Sequence, residues 1–599
     1  MKRFFLLVLL SYCATWPVRA QGEFWTWCIP GINGISYGNG LKVRFNPQPE
    51  NADTSTFRVN GVPGANFVAG LQGAASFNDE RGNLLMYSSG AGVNDRRGQL
   101  MPNGLLNDPA TLPATFYTDE GAYYQPVATA PAPARARHSY VFYWTKAPDN
   151  AGQKIFALTY ALVDSRRNGG FGDVVTKGTV VGRTHNPRLT VVRHANNRDF
   201  WVITRDEDGR SFQAFLLMPQ GIRPTPVVSL AGQALPPTTT ELKAAPNGRQ
   251  LACGARTQST AQPFAVCVYD FDNATGEVSY ERVIHRNAEI TFSISFSPNS
   301  QLLYTTEYPT RPLRPRRFEE LWQFNLALPT EAAVEASRYW VSQFAPTPVE
   351  PDDDVECGGL QLAPDGTLWA SRFYLRLPVN RITGVLRSNH AAVVRHPDVA
   401  GAGCGFEPEG YAYWPGRVPS TTLPNLVTNM LYAPAALNYE AACPDDSVQF
   451  WASSAGDPAG LRWDFGEPAS GAANAATGPY VAHRYAQGGT YPVRLILADG
   501  RVLTQAVTVA GPAADFTHEN VFTPNGDGRN DAFAPVRAPL PGGRLRVFSR
   551  WGQLVFQTQD PALRWDGAGA AAGDYFYLLT YPDCRGQARQ RRGPVLLVR

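Results

Sequence analysis

"LKAAPNGRQLACG" occupies Leu242 to Gly254, "ISFSPNSQLLYTT" Ile294 to Thr306, and "LQLAPDGTLWASR" Leu360 to Arg372. Each phrase is an alternating apolar run, a Ser/Ala-Pro-Asn/Asp-Gly/Ser corner, and a second apolar run. Alternation has the period of a half-buried strand, and Pro, Asn and Gly preset a turn. "ASFNDERGNLLMYSS" from Ala75 and "VVRHANNRDFWVIT" from Val191 are looser copies. Pro246, Pro298 and Pro364 stand 52 and 66 residues apart. A hairpin unit recurring at this interval predicts propeller blades, small antiparallel sheets packed radially. Residues from Glu23 to about Pro434 allow six or seven blades, with the strand around "FWTWCI" closing the ring. A stack of β-sandwiches is the competing reading.

Working outward, the rest of the chain keeps the same texture. "YVFYW", "DFWVIT", "FAVCVYDF" and "YFYLLTY" are short strands between Gly, Pro, Asn and Asp turns, and no long helical period appears. The fold class is therefore all-β, and 599 residues exceed one ordinary core. "MKRFFLLVLLSYCATWPVRAQG" has basic Lys2 and Arg3, an apolar run and the small-residue site Val18-Arg19-Ala20. It reads as a signal peptide over residues 1–20. Its removal takes three of the 54 basic residues and leaves as many basic as the 51 acidic ones. A neutral chain does not suit a nucleic-acid partner. No later run of ~20 apolar residues supplies a membrane span.

Seven of the eight cysteines lie beyond that leader. An exported chain can oxidise them. Cys253 and Cys267 flank a Gly/Ser/Thr turn in consecutive strands, so a cross-strand bridge is geometrically reasonable, closing a loop worth roughly 3 kcal/mol. Cys357 and Cys404 are the next pair. No Cys-x-x-Cys or His spacing suggests zinc.

From about Ala435 the texture changes. "DSVQFWASS", "LRWDFGEP" and "HRYAQGGTYPVRLIL" come one after another. Trp463 suits a sandwich core, Asp464 the turn after it, and Tyr485 with Tyr491 a late-strand corner. Together with Phe465 and Gly466 these residues resemble the PKD domain, an Ig-like module with the motif Trp-Asp-Phe-Gly-Asp-Gly. Glu467 and Pro468 replace its last two residues. The resemblance implies a spacer.

"NVFTPNGDGRNDAF", Asn520 to Phe533, at first suggests calcium. Counting an EF-hand loop from Asn525 or from Asp527 puts Arg529 in a ligand position. Turn chemistry explains Pro524-Asn525-Gly526 and Asp527-Gly528 better, and a looser calcium site is the competing reading. The C-terminal segments "LRVFSRWGQLVFQT", "RWDG", "GDYFYLLTY" and "PVLLVR" are more specific in their order. The set Asn520, Phe522, Pro524, Asn525, Gly526, Asp527, Gly528, Asn530, Asp531, Phe548, Arg550, Trp551, Gly552, Trp565, Asp566, Gly567, Gly573, Tyr575 and Tyr577 resembles the gliding motility-associated C-terminal domain. This is the type B sorting domain of the type IX secretion system. Ser549 stands where that family has Asn. The resemblance makes the loop the entry turn of an address label, makes the secretion machinery a partner, and implies an Ig-like sandwich. Trp551 and Trp565 are expected to anchor its core. "GAASFNDERGNLLMYSSGAGVNDRRGQLMPNG", "YDFDNATGEVS", "CGGLQLAPDGTLW", "GAGCGF" and "LPNLV" likewise resemble the propeller-like part of large gliding motility-associated surface proteins.

The expected organisation is a leader, a propeller over 21–434, a PKD domain over 435–511 and a sorting domain over 512–599. No Gly-x-Ser-x-Gly, His-Glu-x-x-His or phosphate loop occurs. "PDDDVE" (351–356) and "RPLRPRR" (311–317) read as solvated loops. No metal or cofactor is required. The reading is a secreted or surface-anchored adhesion protein, not an enzyme, whose partners are a surface glycan or another surface protein. The alternative is a polysaccharide hydrolase working in the propeller funnel.

Overall fold

The computed structural model describes residues 75–107, 127–231, 241–412, 423–440, 447–509 and 516–599 apart from short connecting segments, and three short strands before residue 75. The leader, residues 311–317 and the cysteines at 28, 443 and 584 lie outside the described residues, as do the side chains of 351–356 and of Cys357. The chain divides into two compact units. The first runs to Asn438 and includes Ala452–Gly460; the second is Tyr439–Trp451 and Leu461–Arg599.

At 194–197, 245–248, 297–300 and 363–366 the corner of the repeated phrase is the turn between the first and second strands of a sheet. In "APNG" Ala245 N donates to Gln250 O and Gly248 N to Ala245 O. In "SPNS" Ser297 N donates to Leu302 O and Ser300 N to Ser297 O, and in "APDG" Ala363 N donates to Thr367 O and Gly366 N to Ala363 O. "HANN" repeats the pattern through His194 and Asn197. The last residue of each quartet has a left-handed backbone: Gly248 at φ 67°, Ser300 at 62°, Gly366 at 84° and Asn197 at 60°. That is why Gly, Asn or a small polar residue stands there. Ser300 also accepts Asn247 N on its hydroxyl at 3.0 Å, which ties one corner to the next.

Six antiparallel sheets follow in chain order. Blade 1 is Ala75–Asn78, Leu84–Ser88, Gly92–Asp95 and Leu100–Leu105; blade 2 is Val127–Pro131, His138–Ala147, Ile155–Asp164 and Asp173–Thr184. Blade 3 is Leu189–Arg193, Phe200–Arg205, Ser211–Met218, Gly221–Ile222 and Val227–Leu230. Blade 4 is Lys243–Ala244, Gln250–Arg256, Phe264–Phe271 and Val278–Ala288; blade 5 is Ile290–Phe296, Leu302–Tyr308, Glu320–Asn325 and Tyr339–Gln343. Blade 6 is Asp354–Leu362, Leu368–Arg376, Gly384–Leu386, His390–Val394 and Phe406–Ala412. The first strand of each blade lies beside the first strand of the next, which makes those strands the inner wall of a propeller. Inter-blade cores are apolar; one holds Val192, Trp201 and Phe212 of blade 3 against Leu251, Cys253 and Tyr269 of blade 4.

The strand around Trp27 starts a further sheet ahead of blade 1. Thr26–Trp27 pairs with Ile35–Gly38, which pairs with Lys42–Phe45, in a three-stranded sheet of its own next to blade 1. It does not add to the sheet of blade 6. The last part of the unit, 423–431, instead joins one core with blades 2, 3 and 6: Leu423, Leu426, Val427 and Met430 pack with Phe142, Val191 and Trp369.

After the propeller, Ala436–Glu440, Val448–Ser453 and Tyr480–His483 form one sheet; Ala475–Thr477, Arg462–Asp464, Gly489–Ile496 and Val502–Val509 form another. Phe450 from the first sheet meets Trp463 and Phe465 from the second at ring distances of 5.8 and 5.2 Å, so the two sheets close a sandwich. The last domain is one five-stranded sheet in the order Val521–Phe522, Ala588–Leu597, Gly573–Pro582, Arg544–Ser549, Leu554–Thr558. A layer of loops, bridged at Phe516 to Val536 and Phe533 to Trp565, covers its inner face.

Candidate functional site: the C-terminal domains and the propeller centre

The Asn520–Phe533 loop spends its polar groups on itself. Asp531 accepts Gly526 N and Gly528 N, both at 2.8 Å, one on each carboxylate oxygen. Asp527 accepts Arg529 N at 2.7 Å, and Asn525 accepts Asp527 N at 3.1 Å. Thr523 N donates to Asn530 O, and Asn530 holds φ 51°. Alternating Asp, Asn and Gly thus build a chain of turns in which side-chain oxygens replace missing backbone acceptors. Among the described residues no group of three His, Cys, Asp or Glu could hold a metal ion.

The loop leads directly into the domain core. Phe522 packs on Trp565 at 5.1 Å, and Trp565 meets Tyr575 edge-on at 5.0 Å. Phe533 and Trp565 exchange both backbone hydrogen bonds, and Phe533 rests on Tyr577. Gly567, at φ 72°, must lack a side chain because a Cβ would press on Phe522 and Leu597 at 3.1 Å. The closing strand is interior: Ala588–Leu597 pairs along Gly573–Pro582 on one edge and with Val521–Phe522, in parallel, on the other.

Trp565 is 1% exposed, whereas Trp551 is 83% exposed and anchors nothing. It sits at the tip of the Ser549–Gln553 hairpin turn, where Gly552 has φ 81° and the Arg550 guanidinium lies 4.9 Å over its ring. A hairpin tip projects beyond the sheet, so no core is within reach. Leu554 and Phe576 are also exposed, and both stand opposite Phe548 across neighbouring strands.

The PKD-type motif forms one linked site. Trp463 donates its indole N–H to Gly478 O at 2.8 Å; Asp464 accepts Gly466 N and the Asn474 amide. Tyr485 donates to Phe465 O at 2.9 Å and stacks near Tyr491 at 4.1 Å. Burial pushes the Tyr485 phenol up, with Glu467 adding to it. The altered turn has a purpose that its sequence did not disclose. Glu467 folds inward, accepts Ala486 N at 2.9 Å and pairs with His483 Nε2 at 2.9 Å, both side chains buried. Pro468 then starts the short helical stretch Pro468–Asn474.

At the propeller centre two arrangements occupy the inner wall. Lys243 of blade 4 donates to Gln361 Oε1 of blade 6 at 3.1 Å and faces Glu241 at 3.5 Å. Ser293 of blade 5 donates to Glu241 at 2.6 Å and accepts Leu360 N of blade 6 at 2.9 Å. All are buried. On the side of blades 2 and 3, Asn425 Nδ2 lies 3.3 Å from Val127 O and 3.2 Å from Leu189 O. Asn429 accepts Arg193 N at 2.9 Å and donates to Arg193 O at 3.0 Å. A carboxamide has the donor and acceptor of a peptide unit, so Asn429 supplies one ladder rung to the free edge of an innermost strand. Nothing local to "LPNLV" discloses this role; only the ring brings its asparagine and Asn429 to the strands they meet.

Cys253 and Cys267 face each other as register partners, yet both are free thiols, as is buried Cys404. The expected bridges are therefore not formed in this structure. Arg205 from blade 3 donates to Cys253 Sγ at 2.9 Å.

Residues 516–597 match the CHU_C type IX secretion signal domain, and residues 436–510 match the PKD domain. No curated protein sequence matches the chain. Solved structures similar to it include hydrazine synthase of Kuenenia stuttgartiensis, 12% identical, covering 63% of this chain and 97% of that one at a TM-score of 0.28. A Lactobacillus plantarum protein is 12% identical over 74% and 97% at 0.29, and a glucose dehydrogenase 13% identical over 51% and 94% at 0.28. Likeness at these scores carries no argument, and the propeller rests on its own sheets. The signal domain indicates export by the type IX secretion system, to the exterior or the cell surface. After the propeller in sequence, the chain thus carries a PKD domain followed by a type IX secretion signal domain.

Proposed function

We propose that the chain is a surface-displayed or secreted interaction protein without catalytic activity. Residues 1–20 are its leader, 21–434 a propeller that presents the recognition surface, 435–511 a spacer and 512–599 the export label. The observation that carries this reading is the match of residues 516–597 to the signal domain, together with a strand, Ala588–Leu597, that is paired on both edges and makes that domain a folded label. The propeller centre supports binding over hydrolysis. The Lys–Glu–Ser set there is buried and consumed in bonds between blades 4, 5 and 6. Recognition then falls to the rims, where loops between strands are free to vary. A surface glycan or another surface protein is the partner class.

The test uses the chain recovered from the cell exterior, incubated with surface polysaccharide from its own host and with cells stripped of surface protein. Retention on either without release of reducing sugar is the expected result. Release of reducing sugar at a rate abolished by a propeller substitution would contradict the non-catalytic reading.

A further inference from the structure

Nothing in the export reading accounts for the paired thiols of blade 4. Cys253 and Cys267 are direct partners, and the ladder continues unbroken on both sides through Leu251 with Tyr269 and Ala255 with Ala265. Directly opposed residues share a face, and both sulfurs belong to the same core between blades 3 and 4. Their Cβ atoms are therefore separated by roughly 4.5–5.5 Å, against about 3.5–4.5 Å in a disulfide. An adjustment of about an ångström closes the gap. In the folded protein burial raises both thiols and the Arg205 guanidinium opposes the rise at each, donating to Cys253 Sγ at 2.9 Å.

We propose that Cys253 and Cys267 form a thiol–disulfide site, closed into a cross-strand bridge by exchange with a disulfide-bearing oxidant outside the cytoplasm. The proposal rests on the export reading for its compartment. One of the two cysteines, as its thiolate, attacks the oxidant's disulfide, forming a mixed disulfide and releasing one oxidant sulfur as a thiolate, which takes up a proton. The thiolate of the other cysteine then attacks the sulfur of the first, and the second oxidant sulfur leaves and takes up a proton, so that the oxidant departs as a dithiol. Two electrons and two protons pass from the chain to the oxidant. The described structure is the reduced end of this reaction. With exposures of only 3% and 0%, the thiols must react while the blade 4 hairpin is forming, before blade 3 covers them. Once closed, the bridge is sealed from reductant by the same packing.

The full chain is recovered from the cell exterior and denatured in iodoacetamide without reductant. It is then digested and weighed by mass spectrometry. The expected result is one joined peptide pair carrying Cys253 and Cys267 with neither labelled, and labelling of both after prior reduction. In Cys253→Ser, Cys267 should take the label alone. Labelling of both cysteines in the unreduced wild type, or a bond from either to a different cysteine, overturns the proposal. The same digest on the full chain refolded in mixed reduced and oxidised glutathione gives the answer independently of export. A chain that bridges there but never leaves the cell defeats the export reading and leaves the bridge standing.

Discussion

Trp551 and Trp565 belong to the same short motif and meet opposite fates. Trp565 lies between Phe522 and Tyr575, so Trp565→Ala leaves a cavity in the centre of a small core. The expected cost is about 3–5 kcal/mol, read as the denaturant midpoint of the C-terminal domain. Trp551→Ala removes an exposed ring that meets the Arg550 guanidinium, and should change stability by no more than about 0.5 kcal/mol. Comparable losses from the two would mean that the hairpin tip is docked on something in the folded protein. Sequence cannot rank these tryptophans: both are flanked by turn residues, and only the register of the hairpin shows that one lies past the sheet's end. Glu467 illustrates the same limit. As a departure from a motif it reads as an altered turn, because its partner His483 is reached only through the sandwich.

Among the elements, the corner turns were legible because their chemistry is local. Pro, Asn or Asp, and a residue tolerant of positive φ within four positions determine the turn, and the same hydrogen-bond pair appears each time. The all-β class and the propeller were readable for that reason. The central segment 423–431 was not, since its asparagines answer strands more than 200 residues earlier in the chain. Asn429→Ala deletes two hydrogen bonds to a buried strand edge and leaves Arg193 N–H and C=O without that partner. A loss of about 1–3 kcal/mol is expected from the propeller's unfolding transition. Asn429→Asp is a useful companion, since it keeps the acceptor for Arg193 N but not the donor to Arg193 O. A melt of Asn429→Ala that coincides with wild type would show that the segment does not brace blade 3.

At the scale of the whole molecule, each unit builds its own core, and the C-terminal domain packs its own aromatic cluster around Trp565. Its last strand contributes Val595 and Leu597 to that cluster and hydrogen-bonds on both edges. Few of its core residues are dispensable in so small a domain. The account stands or falls on whether this folded domain is what the export machinery reads. The direct measurement compares the full chain with a chain lacking Pro594 to Arg599, both expressed in a host with a type IX system, by the fraction reaching the cell exterior. The account predicts that the intact chain is delivered and that the truncated one stays in the periplasm with a protease-resistant propeller. Delivery of the truncated chain to the same extent would contradict it.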